Sequence, residues 1–192
     1  MKPENCALVI LASGLSERFG MADKLMAQFR GKPLVQHAIE AAAPLAFAER
    51  FAVIPAVSKQ RRELFARQGF TLIENKTPKA GQGRSLELAA RAVRAKGYDA
   101  ICVMLGDMPF VQTQDLSDFL HNLSDKDRAI SYCNTTTLPP AIFTNAALDE
   151  LAMIDSNAGA KALFNCANVY KHPLSERAAR DIDTPETLAE LT

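Results

Sequence analysis

The chain has 192 residues, a length suited to one compact domain, and its 48% hydrophobic and 23% charged residues are the balance of a folded globular protein rather than a disordered one. Its 22 basic and 22 acidic residues cancel to a formal net charge of zero, so there is no global field to hold nucleic acid or an anionic membrane, and any phosphate binding must be local. The opening MKPENCALVILAS lacks a basic region leading a long apolar run, and no later stretch has the roughly 18 uninterrupted apolar residues of a membrane span, so a cytoplasmic protein is expected.

Short β-rich runs alternate with longer helical stretches, the pattern of βαβ units around a mainly parallel sheet. The predicted class is α/β: a Rossmann-like three-layer αβα sandwich occupying 1–192 as a single domain. The first strand is Ala7-Leu8-Val9-Ile10-Leu11, apolar at every position as expected of a strand covered on both faces. Pro33 opens a helix over LVQHAIEAAAPL, followed by a strand at 51–54, a helix at 59–68 ended by Gly69, and a strand at 70–73. A polar loop over 74–84 then leads to a helix at 85–96 and to a central buried strand at 100–105, after which Gly106 and Asp107 follow at once. The later order is less regular: a helix near 115–122, strands near 128–133 and 140–143, two short helices, and a closing helix capped by Thr184 with Pro185 at its first position. Cys6, Cys102, Cys133 and Cys166 form no CxxC or Cys/His cluster and read as small reduced hydrophobes.

The most informative stretch runs from the end of the first strand: Leu11, Ala12, Ser13, Gly14, Leu15, Ser16, Glu17, Arg18, Phe19, Gly20, then Asp23 and Lys24. In open α/β sheets ligands bind beyond the carboxyl ends of the strands, so position alone favours a site here. Gly14 and Gly20 permit turns that turn N–H groups toward a phosphate, Ser16 adds a hydroxyl, and Arg18 and Lys24 supply charge, a set suited to a nucleoside triphosphate. The pattern is neither a P-loop nor a dinucleotide fingerprint. Lys59-Gln60-Arg61-Arg62 reads as a solvated helix face, and His37, His121 and His172, without a legible partner, read as structural or surface residues.

LASGLSERFGMADKL resembles the opening signature, roughly LAAGxSxRFGxxK, of the nucleotidyltransferases that complete molybdenum cofactors by adding CMP or GMP to molybdopterin. GQGRSL resembles that family's glycine-containing segment, LGDMPFV its GDxP motif, PPAIF its PxxF strand and DIDTPETL its DIDTPEDL tail, in the family's order along nearly the whole chain. The LAxG form and the DIDTPE tail resemble the cytidylyltransferase branch more than the guanylyl branch. The resemblance implies CTP and a molybdopterin-type phosphate acceptor, with transient contact to a molybdoenzyme or its chaperone, and neither nucleic acid nor membrane as partner. It also implies nucleotide contacts from Gly81, Gly83 and Ser85, although Ser85 could instead cap the next helix.

The chemistry implied is in-line attack of a phosphate oxygen on the α-phosphorus with loss of pyrophosphate. Mg²⁺ needs hard carboxylate ligands, and Asp107 and Asp183 are the candidates, with Asp181 an alternative to Asp183. Arg18 and Lys24 would neutralise the phosphates, and Asp107→Asn is expected to abolish turnover. The chain departs from the family at 134–139 and 156–161, segments that would face the acceptor, and at Ser13, close to the base. Two rivals stand beside this reading: a guanylyl-, sugar- or polyol-phosphate nucleotidyltransferase, and a non-catalytic nucleotide-binding insertion factor.

Overall fold

In a computed structural model, which describes residues 1–20, 22–155, 163–166 and 168–192, the apolar run Ala7–Leu11 forms strand β1 and is buried at every position. Two short 3₁₀ turns, Glu17–Phe19 and Lys24–Met26, carry the chain away from it. A small antiparallel hairpin follows, β2 (Gln28–Phe29) and β3 (Lys32–Pro33), and delivers the chain into helix α1 (Leu34–Ala42). Strand β4 (Arg50–Pro55), helix α2 (Lys59–Arg67) and strand β5 (Thr71–Asn75) come next; Ser58 caps α2 by accepting from the Arg61 N–H. Helix α3 (Gln82–Ala95) leads to strand β6 (Ala100–Leu105), and helix α4 (Thr113–His121) to the antiparallel pair β7 (Arg128–Cys133) and β8 (Thr136–Thr144). Helix α5 (Asn145–Ala152), strand β9 (Val169–Pro173) and helix α6 (Pro185–Leu191) complete the described elements.

Seven strands form the central sheet in the order β5-β4-β1-β6-β8-β7-β9. β5, β4, β1 and β6 run parallel, β8 is antiparallel to both neighbours, and β9 is parallel to β7. The α/β class with a mainly parallel sheet is therefore as predicted. From β1 the chain winds outward to β4 and β5 and then returns to the other side of β1 as β6. This reversal opens a crevice between the carboxyl ends of β1 and β6, where ligands of open α/β sheets bind.

Alternation along β1 splits the interior into two cores. Leu8 and Ile10 pack with Leu34 and Val35 of α1, Phe65 of α2 and Phe119 of α4, whereas Val9 and Leu11 face Leu86, Ala90 and Val93 of α3 and Leu148 of α5. No helix among the described residues is long and apolar enough to cross a membrane.

Several local expectations differ; α1 ends at Ala42 rather than Leu45, and β5 spans 71–75 rather than 70–73. α3 begins at Gln82, three residues before Ser85, because Gly81 at φ +88° turns the chain directly into the helix. Ser85 thus lies inside α3 and is no cap. β8 extends over 136–144 rather than 140–143. The β2/β3 hairpin and β9 were not anticipated: the first has two residues on each strand, and in the second only His172 is buried.

Candidate active site

The loop after β1 is shaped from beneath by one side chain. Arg61 on α2 is only 3% exposed, and all three of its guanidinium nitrogens donate to this loop. Nη1 reaches the carbonyls of Ala12 at 2.6 Å and Gly14 at 2.8 Å; Nε and Nη2 fork onto the Asp23 carboxylate at 2.8 and 2.7 Å, and Nη2 also donates to Ser16 Oγ at 3.2 Å. With its carbonyls held inward, the loop leaves Gly14 exposed, and a Cβ there would meet nothing within 4 Å. Nothing inside the chain requires glycine at 14, and its open face adds room to the cavity beside it. Ser16 sits in the left-handed region at φ 58°, where its Oγ accepts from the Lys24 N–H and from Arg61 and keeps its own hydrogen free to donate. The expectation that 59–62 forms a solvated helix face fails at Arg61. The signal was its place one turn before Phe65, which is fully buried on the same side of α2.

Acids and cations meet at the crevice mouth. Lys24 Nζ donates to Asp107 Oδ2 at 2.6 Å and to Asp183 Oδ1 at 2.8 Å, and Arg18 Nη1 donates to Asp183 Oδ2 at 3.1 Å. Asp107 stands just beyond β6, preceded by Gly106, whose added Cβ would lie 3.0 Å from Val35 Cγ2 and 3.3 Å from Leu25 Cδ1. Glycine lets this turn pack closely against the residue next to Lys24, where a larger side chain would make Val35 and Leu25 shift. Asp183 arrives from the far end of the chain, held by the Ile182 N–H donating to the Asp107 carbonyl at 3.1 Å and by the burial of Ile182 itself. Burial would push the Lys24 ammonium down, but Asp107 and Asp183 outweigh it and hold it above its ordinary value. The Lys24 hydrogen bond keeps Asp183 below the usual carboxylate range. Asp181 is raised instead, by desolvation and then by the like charges of Asp183 and Asp107.

Two adjoining cavities share Pro78. One, of about 320 Å³, is lined by Leu11, Ser13, Gly14, Gly81, Gln82, Ser85 and Asp107 among others. The other, of about 530 Å³, is lined by Ser16, Arg18, Lys24, Asp183 and Lys79 among others. Of the residues predicted for the site, Ala12, Gly20, Gly83 and the alternative ligand Asp181 line neither cavity: Ala12 is buried with its carbonyl on Arg61, and Gly83 is buried in the first turn of α3. Behind the first cavity, Ser13 Oγ and Ser85 Oγ lie 2.7 Å apart, and Asn75 Nδ2 donates to both, at 3.1 and 3.2 Å. Asn75 and Lys79 were missed because each lies in a polar segment without spacing to mark it. A third cavity, of about 230 Å³ and largely apolar, adjoins at Gln82 and is lined in part by Thr137, Leu138 and Pro139, within the segment expected to face the acceptor. The other such segment, 156–161, lies outside the described residues.

The donor set suits a divalent ion of the magnesium kind. Asp107 Oδ1 is buried without a hydrogen-bond partner, and Lys24 Nζ joins the other oxygen of this carboxylate to that of Asp183. No group of three or more His, Cys, Asp or Glu that could cage a metal occurs among the described residues. Two carboxylates, completed by water and phosphate oxygens, are what Mg²⁺ ordinarily takes. Of the histidines, His37 lies against Phe29 and its carbonyl, and His172 packs edge-on to Phe119. None of the three lines either of the two polar cavities.

The family model of the MobA-like NTP transferase domain matches residues 8–175. Among curated proteins, the bifunctional protein GlmU of Solibacter usitatus is 34% identical over 117 residues, 59% of this chain and 24% of GlmU, so the chain spans about a quarter of that relative's length. The crystal structure of Rv0371c from Mycobacterium tuberculosis H37Rv superposes with a TM-score of 0.80 at 20% identity, covering 97% of both chains. The same protein has been solved in complex with manganese. Molybdopterin-guanine dinucleotide biosynthesis protein A from Archaeoglobus fulgidus gives a TM-score of 0.70 at 22% identity over 96% of both chains.

Proposed function

Since the chain belongs to the MobA-like NTP transferase domain family, we propose that it transfers CMP from CTP to the phosphate of a molybdopterin-type acceptor and releases pyrophosphate. The observation that carries this reading is the meeting of Lys24, Arg18, Asp107 and Asp183 at the mouth of the β1/β6 crevice, beside two cavities sized for a nucleotide. The nucleoside lies in the cavity of Ser13, Gly81 and Ser85, and the β- and γ-phosphates in the cavity of Arg18, Lys24 and Lys79. A phosphate oxygen of the acceptor attacks the α-phosphorus, a new P–O bond forms, and the bond to the bridging oxygen breaks. Pyrophosphate leaves with that electron pair.

An acceptor phosphate is largely dianionic at neutral pH, with a second pKa of about 6, so its oxygen needs no general base. This agrees with polar cavities that contain no histidine. The work left to the chain is positioning and charge neutralisation by Arg18, Lys24 and Lys79, with Asp107 and Asp183 holding Mg²⁺. That ion supplies charge neutralisation at the phosphates when bound. The preference for CTP rests on the resemblance of LASG and DIDTPE to the cytidylyl branch, and delivery of the product to a molybdoenzyme or its chaperone rests on the same resemblance.

Thermal unfolding with CTP, GTP, ATP or UTP, each with and without Mg²⁺, tests the reading, because a ligand that binds only the native state raises its melting temperature. CTP with Mg²⁺ is expected to give the largest rise. A rise led by GTP moves the chain to the guanylyl branch, and no rise with any nucleotide removes the proposal. Pyrophosphate release on adding a molybdopterin-type acceptor, and not a sugar or polyol phosphate, identifies the acceptor class.

A further inference from the structure

We propose that the Lys24 ammonium is a built-in counter-ion that keeps the divalent-metal seat between Asp107 and Asp183 closed in the nucleotide-free chain, and that an incoming polyphosphate opens the seat by drawing Lys24 away. The inference rests on the reading that these two carboxylates seat the ion. Lys24 Nζ lies 2.6 Å from Asp107 Oδ2 and 2.8 Å from Asp183 Oδ1, bridging the two groups. A divalent ion of the magnesium type needs such oxygens at about 2.0–2.1 Å. The ammonium and the ion therefore compete for the same oxygens, and their like charges repel at that separation. Arg18 does the same on the other side, covering Asp183 Oδ2 at 3.1 Å. Only Asp107 Oδ1 is left without a partner, and it is buried.

The same ammonium has somewhere to go. Lys24 also lines the larger cavity, together with Arg18 and Lys79, where a polyphosphate would collect the three cations. Moving Lys24 and Arg18 onto phosphate oxygens releases both oxygens of Asp183 and Oδ2 of Asp107, next to the already unpaired Oδ1. Metal and polyphosphate then favour each other's binding, because each removes what obstructs the other. Free divalent ion meets a closed seat, and the ion enters with the nucleotide or after it.

Binding of Mn²⁺ alone, followed by the electron paramagnetic resonance of the free ion, tests this on nucleotide-free protein. Lys24→Met is expected to bind Mn²⁺ at least about tenfold more tightly than the wild type, a conservative figure for removing one like charge at contact distance. Adding Asp107→Asn to Lys24→Met should abolish the gain, and Lys24→Arg, which keeps the cation, should show none. A separate arm tests the seat itself: water-proton relaxation by Mn²⁺–CTP should be enhanced on adding wild-type chain and much less on adding Asp107→Asn. If that enhancement is present but Lys24→Met binds free Mn²⁺ no better than the wild type, the closed-seat proposal is overturned while the metal reading stands. If the enhancement is absent with Mn²⁺–CTP and with Mn²⁺–GTP alike, the metal reading fails and the proposal with it.

Discussion

Arg61 organises a loop to which it contributes no backbone. Its bonds to the Ala12 and Gly14 carbonyls, Ser16 Oγ and Asp23 tie together the stretch between the end of β1 and the Lys24–Met26 turn. A lysine would keep the charge but lose the planar fork, leaving several of these buried acceptors unmatched. Arg61→Lys is expected to destabilise the chain by about 1–3 kcal/mol in urea unfolding, the scale of one buried acceptor left unpaired. It should also raise KM for the nucleotide more than it lowers kcat, since the residue shapes the cradle without entering either polar cavity. A variant with unchanged stability and unchanged KM would show that the loop holds its form without the fork. The side chains that line the cavities were far more legible: Gly14, Ser16, Arg18, Lys24 and Asp107 carry small, hydroxyl or charged chemistry at the ends of buried strands. Arg61 was not, because within Lys-Gln-Arg-Arg nothing distinguishes the inward arginine except its distance to Phe65.

Among the elements, strands covered on both faces announced themselves: β1 and β6 are continuous apolar runs, and their boundaries follow the sequence closely. Elements defined by backbone geometry or by the sheet edge did not. The start of α3 depends on the positive φ of Gly81, and β9 is recognised as a strand only through its ladder with β7. β9 carries His172, which desolvation holds below the ordinary histidine value, and α1 carries His37, lowered by the same cause. A depressed histidine binds its proton in the unfolded chain first, so its contribution is complete above the unfolded value of about 6.5 and is lost as pH falls through the folded one. Stability is therefore expected to be level from pH 8 to about 7 and to decline toward pH 5. His172→Gln should make that decline shallower, as followed by urea midpoints across the range. An equally steep decline in the variant would assign it to other groups.

At the scale of the whole molecule, one core reaches from Cys6 to Ile182 and the other from Ala7 to Phe164, so neither can be assembled from one half of the chain. We expect a single cooperative unfolding transition, with far-ultraviolet circular dichroism and tyrosine signals coincident in urea; two separated transitions would divide the chain into two units. The same wiring places the charged groups of the site far apart in the order of synthesis. Lys24 and Asp183 are 159 positions apart, yet their side chains bond directly. At about 5–20 residues per second, a ribosome makes Asp183 roughly 8–30 s after Lys24. Asp107 follows Lys24 by 83 positions, so for the rest of that interval the emerging chain carries Asp107 without Asp183. On the two-carboxylate reading, a chain stopped before the last turn ahead of α6 lacks both Asp183 and the core residue Ile182, so folding and catalytic competence arrive together, with the last few residues made.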